Sequence, residues 1–311
     1  TAIAQIVAIA ISPILARIYD SSAFGILGFF LSVVGIVSVN STLRYHLAII
    51  LPDDDEDAVA IVGLSFFCTL IMSIISGFLI YSLSDWLEVL FKISLNKSVY
   101  YIIPIAIFVD GSLLIMRHRH IRMKYYSTSS ISSARLSIST TIGQLSFGLN
   151  GFVQGIHMVY SSIIGMVIAF FIYLTTIPNK TILFSKALLD FERIKIQAKL
   201  YKKFPSYSTL AGVINKLAWE LPSFMLLGFF SPSVLGYYFM GHRLLRLPVA
   251  LIGTSIGEVY FERGSKAYTN GTLNEITELV QKRLVQIGFF PFFVLMFIGE
   301  DLRSEEHTSE L

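Results

Sequence analysis

Charge is scarce in this chain. Only 14% of its 311 residues are charged, against about 25% in an ordinary soluble domain, while 54% are hydrophobic. The mean hydropathy is +0.68. One water-soluble core cannot hide that much apolar surface, so lipid is the expected solvent. Cysteine is nearly absent too. The single thiol, Cys68, excludes an internal disulfide and a cysteine-cluster metal site, and it reads as a small apolar side chain. The acids Asp53 to Asp57 lack the glycine and the closing glutamate of a calcium loop. His118 and His120 lack ligand spacing for a helix, so no metal is expected. There is no P-loop, so ATP hydrolysis by this chain is not expected. The net charge is +3, and the basic residues gather in no single patch, which argues against nucleic acid as a partner.

What the chain has in abundance is long apolar runs. A spanning helix needs roughly 20 mostly apolar residues, and that window gives about nine spans: 2–15, 24–50, 58–83, 98–116, 127–150, 156–176, 206–230, 235–256 and 284–298. They are too long and too uniformly apolar for barrel strands. The expected fold is an all-α polytopic membrane protein. Its joints carry a charge bias. The stretches 117–124, 177–205 and 257–283 hold fifteen Lys and Arg residues and fall on one side of nine spans, whereas the other side has only Arg17, Lys92 and Lys97. By the positive-inside rule the first group is cytoplasmic. The basic stretch 177–205 mixes Leu188, Leu189, Phe191 and Ile194 with lysines, as an amphipathic interfacial segment does. It divides a six-helix lobe, 1–176, from a partial lobe of about three spans, 206–302. The tail Arg303–Leu311 resembles a translated sequencing adapter and is set aside. With an N-terminus that opens inside an apolar run, both ends read as truncated.

Charges inside apolar spans are costly, so each marks a cavity or a partner. Arg44 falls about eight residues before Pro52. In a continuous helix it shares a face with Asn40, Ser41 and Ala48, pointing into protein or water. Arg135 lies in a hydroxyl-rich run with Ser132, Ser139 and Gly143 on its side, half of whose hydroxyls read as interhelical glue. Lys216 and Glu220 are spaced to pair within one helix, which Pro222 should kink. His242, Arg243 and Arg246 follow in one short run, with Arg243 and Arg246 on a common face in want of an anion. Asp110 is the acid within its own span, with Arg44 or Arg135 as an expected partner. "GTSIG" (253–257) matches a hydrolase pattern but lies in an apolar run, where small-residue packing is the better reading.

Two blocks carry a family likeness. The first holds Arg17, Tyr19, Phe24 and Gly25, then Leu43, Arg44, Tyr45, Ala48, Ile49, Leu51 and Pro52, with an acidic run behind. The second holds Phe204, Pro205, Leu221, Pro222, Gly236, Tyr237, Arg243, Pro248 and Gly257. Together they resemble the polysaccharide-export flippases, the O-antigen translocases of Wzx type, within the superfamily of lipid II flippases and multidrug MATE exporters. His46 stands where that family usually has Glu. The resemblance implies a two-lobed fold of which this chain holds the first lobe, the linker and part of the second. It implies a non-enzymatic transporter in the bacterial cytoplasmic (inner) membrane, with no cofactor beyond a proton or sodium gradient. Its cargo would be a lipid-linked oligosaccharide on polyprenyl pyrophosphate, its surroundings membrane lipids and other polysaccharide assembly proteins. Arg44, Arg135, Lys216, Arg243 and Arg246 would line a cationic cavity for the pyrophosphate, since guanidinium suits phosphate. Glu220 and Asp110 would be the ion-coupling candidates. A MATE-like drug exporter is the alternative. It would want carboxylates, yet basic residues outnumber acids within the spans. A membrane-embedded polymerase would want a long outer loop, and the outer joints here are short.

Overall fold

In the computed structural model the described residues are 2–91, 97–176 and 186–243, with scattered helical positions between 274 and 293. Among them every regular element is helical, which is how backbone polar groups are satisfied within lipid. The elements are α1 (Ala2–Ile18), α2 (Ser21–Ser41), a 3₁₀ turn (Tyr45–Ile50), α3 (Asp55–Ser82), α4 (Ser84–Phe91), α5 (Lys97–Arg122), α6 (Tyr126–Leu149) and α7 (Gly155–Thr176). After them come a second 3₁₀ turn (Lys186–Leu189), α8 (Phe191–Leu200), a π turn (Phe204–Ser208) and α9 (Thr209–Phe229). Four helices, α2, α3, α5 and α7, are long and apolar enough to cross a membrane. The chain is a multi-pass membrane protein by that measure.

Two compact units are present, Thr1–Met240 and Gly241–Leu311. In the second, His242 and Arg243 are described and helical. Arg246, the 253–257 pattern and the 303–311 tail lie outside the described residues.

The first unit is held by helices brought close through small and hydroxylated side chains, as expected where lipid offers no hydrophobic push. Ser132 on α6 donates to the Ala169 carbonyl on α7 at 3.1 Å, and Tyr19 closes α1 onto α6 by donating to the Gln144 carbonyl at 2.7 Å. Ser73 on α3 donates to the Pro104 carbonyl on α5 at 2.5 Å. The start of α2 meets the helical stretch beginning at 232 at bare backbone. A methyl on Gly25 would strike the Pro232 carbonyl, and one on Gly236 the Ser21 carbonyl. Thus Gly25 and Gly236, one from each family-like block, are glycine because the two helices touch there.

Apolar residues form two buried clusters. One surrounds Phe24, Leu27 and Phe30 of α2. The other joins Tyr45 and Ile49 of the first 3₁₀ turn to Ile61 and Ile115. Phe78, Val89 and Phe171 are exposed, as lipid-facing side chains should be.

Two expectations about secondary structure are corrected. The basic stretch 117–124 is not a loop, because α5 continues to Arg122 and buries Arg119 and His120. The run 24–50 is not one helix, because α2 stops at Ser41.

Candidate functional site

The break after α2 comes from three polar residues in a row. Asn40 donates from its amide to the Ile36 carbonyl, Ser41 donates to the Ser38 carbonyl at 2.8 Å, and the Thr42 hydroxyl pairs with His46 Nδ1 at 2.5 Å. Side chains that bond the local backbone compete with helix continuation. Leu43 and Arg44 then take positive φ, 47° and 63°, a region that costs ordinary residues energy and marks functional turns. Arg44 therefore does not share a helical face with Asn40, Ser41 and Ala48. It sits at the corner where the chain turns into the 3₁₀ segment. There its guanidinium lies against the backbone of Gly212 on α9, so that a methyl at Gly212 would collide with it. The Arg44 Nε is buried without a hydrogen-bond partner. No carboxylate lies within ion-pair distance of Arg44 among the described residues. Next to it His46 is 3% exposed and meets the His118 ring edge-on at 4.7 Å. Burial, then the neighbouring His118 and Arg44, pushes the His46 imidazole down to about 3, so it is neutral at physiological pH.

Along α2 a row of small residues at every third position, Ser32, Gly35, Ser38 and Ser41, turns from α9 toward α5. Ser32 donates to Glu220 Oε2 at 2.7 Å. Gly35 leaves the space that the Lys216 side chain fills. Lys216 pairs with Glu220 at 2.6 Å, with 24% and 17% of the two side chains exposed. Ser38 donates to Asp110 Oδ2 at 2.5 Å. Asp110 thus takes a serine, where Arg44 or Arg135 was expected, and no arginine is within ion-pair range of it among the described residues. The serine row was missed in the sequence. Its signal is the three-residue spacing of small polar residues within an otherwise apolar helix.

Asp110 also opens into a pocket of about 140 Å³ between α5, α6 and α7, lined by Leu113, Leu114, Arg117, Ser132, Ser133, Leu136, Ala169 and Tyr173. Arg135 is on the flank of α6, exposed, and is not part of that wall. Ser132 turns into the α6–α7 contact, where its hydroxyl serves as glue.

The acidic run ties α3 to α5 and α8. Asp54 caps α3, accepting from the Glu56 N–H at 3.2 Å. Arg122 pairs with Asp55 at 3.0 Å and donates to the Pro52 carbonyl, which gives Pro52 its place. Arg119 reaches Asp55 at 3.8 Å. Arg193, on α8, stands among Asp54, Glu56, Asp57 and Asp190 at 3.5, 2.7, 3.5 and 3.6 Å. The Leu188 carbonyl rests on Gly63 of α3, where no Cβ would fit, and Tyr45 donates to the Ala198 carbonyl at 3.2 Å. The four apolar residues of this segment part company. Leu188 and Ile194 pack on the second apolar cluster, while Leu189 and Phe191 are exposed.

Of the remaining sites, Arg17 is exposed at the end of α1, Pro205 opens the π turn, and Pro222 lies inside α9, which continues to Phe229.

Comparison with known proteins adds one finding. The sequence model of a protein family described as polysaccharide biosynthesis protein matches residues 14–302. No match to the chain was found among curated proteins or among solved structures.

Proposed function

Because the chain belongs to the polysaccharide biosynthesis protein family, we propose that it is a membrane flippase that carries a polyprenyl-pyrophosphate-linked oligosaccharide from the cytoplasmic to the outer leaflet of the bacterial inner membrane. The family fits a transporter of this kind, and the multi-pass helical fold gives it the setting. The observation that carries the reading is Arg44: a guanidinium held in a strained corner, against a glycine, with no carboxylate beside it among the described residues. A charge kept without a partner near apolar surroundings is costly. An anionic cargo that arrives and leaves would supply the partner intermittently, and bidentate contacts suit arginine to phosphate. Arg135 is a second cation without an ion-pair partner among the described residues. Lys216 is already neutralised by Glu220. It belongs with Glu220 and Asp110 to a titratable seam between α2, α5 and α9, the place where a proton or sodium ion would couple the gradient to rocking of the fold.

The test is complementation. A strain lacking its own flippase but making the matching lipid-linked unit receives the full-length gene, as wild type or as Arg44→Ala. Surface polysaccharide is scored at equal protein levels. Rescue by wild type and failure by Arg44→Ala supports the reading, while equal rescue by both removes Arg44 from the cargo path. A well-expressed wild type that does not rescue, with matching sugars, defeats the flippase reading.

A further inference from the structure

The pocket between α5, α6 and α7 has donors and acceptors arranged for a specific kind of ligand. Asp110 and Arg117 lie on one face of α5, seven residues and so two turns apart, about 10 Å along the axis. Both line the pocket, and neither forms an ion pair among the described residues. Asp110 spends one oxygen on Ser38. Across the pocket on α6 the two hydroxyls have already used their single protons. Ser132 donates to the Ala169 carbonyl at 3.1 Å, and Ser133 donates to the Ser129 carbonyl at 2.9 Å. A hydroxyl that has given its proton offers only lone pairs. The pocket therefore presents acceptors at the Asp110 end and across it on α6, one guanidinium at the other, and the Tyr173 hydroxyl, which shares a hydrogen bond with Ser129 at 3.0 Å. Its ligand must bring an anion to Arg117 and several hydrogen-bond donors to Asp110, Ser132 and Ser133. A bare phosphate has the anion without the row of donors, and it would be repelled by Asp110. A sugar ring next to a phosphate has both. The volume, about 140 Å³, is on the scale of one monosaccharide.

We propose that this pocket takes the phosphate-proximal sugar of the cargo, as a glycosyl phosphate with its phosphate on Arg117 and its ring hydroxyls donating to Asp110. The assignment rests on the flippase reading and names the part of the cargo that the first unit would grip. The Ser38–Asp110 bond ties the pocket to α2, whose broken end carries Arg44.

The experiment reads the pocket directly. In the full-length protein, Ser133→Cys is introduced after Cys68→Ala and removal of any other thiol, and maleimide labelling is timed in membrane vesicles. Glucose 1-phosphate and N-acetylglucosamine 1-phosphate are the probes; inorganic phosphate and phosphoethanolamine are the comparisons. With a sugar phosphate at about ten times its half-protecting concentration, labelling should slow roughly tenfold, as occupancy dictates. Arg117→Gln and Asp110→Ala should each abolish the protection, with the fold certified independently by wild-type membrane levels and an unchanged elution profile in detergent. Normal labelling that no sugar phosphate slows overturns the proposal. So does equal protection by phosphoethanolamine, which marks a lipid-headgroup site, or by inorganic phosphate, which marks a simple anion site. A protein that complements a flippase-deficient strain yet shows no protection defeats the pocket alone. One that is protected yet never complements defeats the flippase reading alone.

Discussion

Two charged regions of the first compact unit are built on opposite plans. At the basic end of α5 the guanidinium of Arg193 stands among four carboxylates, and Arg122 has Asp55 and two backbone carbonyls. At the end of α2, Arg44 has a glycine and a neutral histidine. The first arrangement binds elements to one another: α3, α5 and α8 are stapled through the acids 53–57. It sits largely in solvent, so its pairs are individually weak. The second holds a cation ready without spending it on the protein. The contrast separates arginines that build the fold from those available to a ligand, a distinction that residue type and hydropathy do not make.

Breaking the second arrangement should have the larger functional effect. Gly212→Ala places a methyl where the Arg44 guanidinium lies, and the side chain must move. If Arg44 meets phosphate, losing that charge-assisted contact costs about 1.5–3 kcal/mol, or roughly a tenfold or greater fall in transport. Surface polysaccharide should drop about as far as with Arg44→Ala, at wild-type membrane levels. Normal transport by Gly212→Ala would mean that the corner geometry is immaterial. Next in size is the Lys216–Glu220 pair. Lys216→Met leaves Glu220 with only Ser32 in a mostly buried place and should destabilise the protein by about 2 kcal/mol. Lys216→Met with Glu220→Gln should recover most of that in thermal unfolding in detergent. If the recovered protein still transports with undiminished dependence on the gradient, Glu220 has no part in coupling.

Much of the fold was legible because helix-length apolar runs are a strong signal. The all-α membrane architecture and the Lys216–Glu220 pair follow from spacing alone, whereas which hydroxyls of the 127–150 run serve as glue, Ser132 among them, does not. The break at residue 42 did not emerge, although Asn40, Ser41 and Thr42 spell it locally, because a hydropathy window averages over three polar residues. The staple at Asp53–Asp57 was hidden for another reason. Its partners Arg122 and Arg193 are about 70 and 140 positions away in sequence, and a single sequence carries no record of such pairings. The family-like residues Tyr45 and Pro52 gained physical roles only when the Ala198 carbonyl and the Arg122 guanidinium were seen beside them.

The first arrangement yields the smaller effects. Arg193 is 37% exposed, so Arg193→Ala should cost below about 1 kcal/mol, less as salt rises, and leave transport near wild type. A deep loss of transport would instead make the docked α8 segment part of the cycle. Smallest at neutral pH is His46, which sharpens the contrast because, uncharged, it is neither a partner for Arg44 nor a second cation beside it. Its imidazole lies near 3 in the folded protein against about 6.5 when unfolded. Above about 6.5 both states are neutral and His46 adds no pH dependence. As pH falls from there toward 3, the unfolded chain binds a proton that the folded one refuses, so stability declines across that window. His46→Gln, which keeps a polar partner for Thr42 without a titratable ring, should flatten this part of the stability curve between pH 6.5 and 5. Equal acid sensitivity in both proteins would mean that His46 takes up its proton in the folded state, placing a second cation beside Arg44.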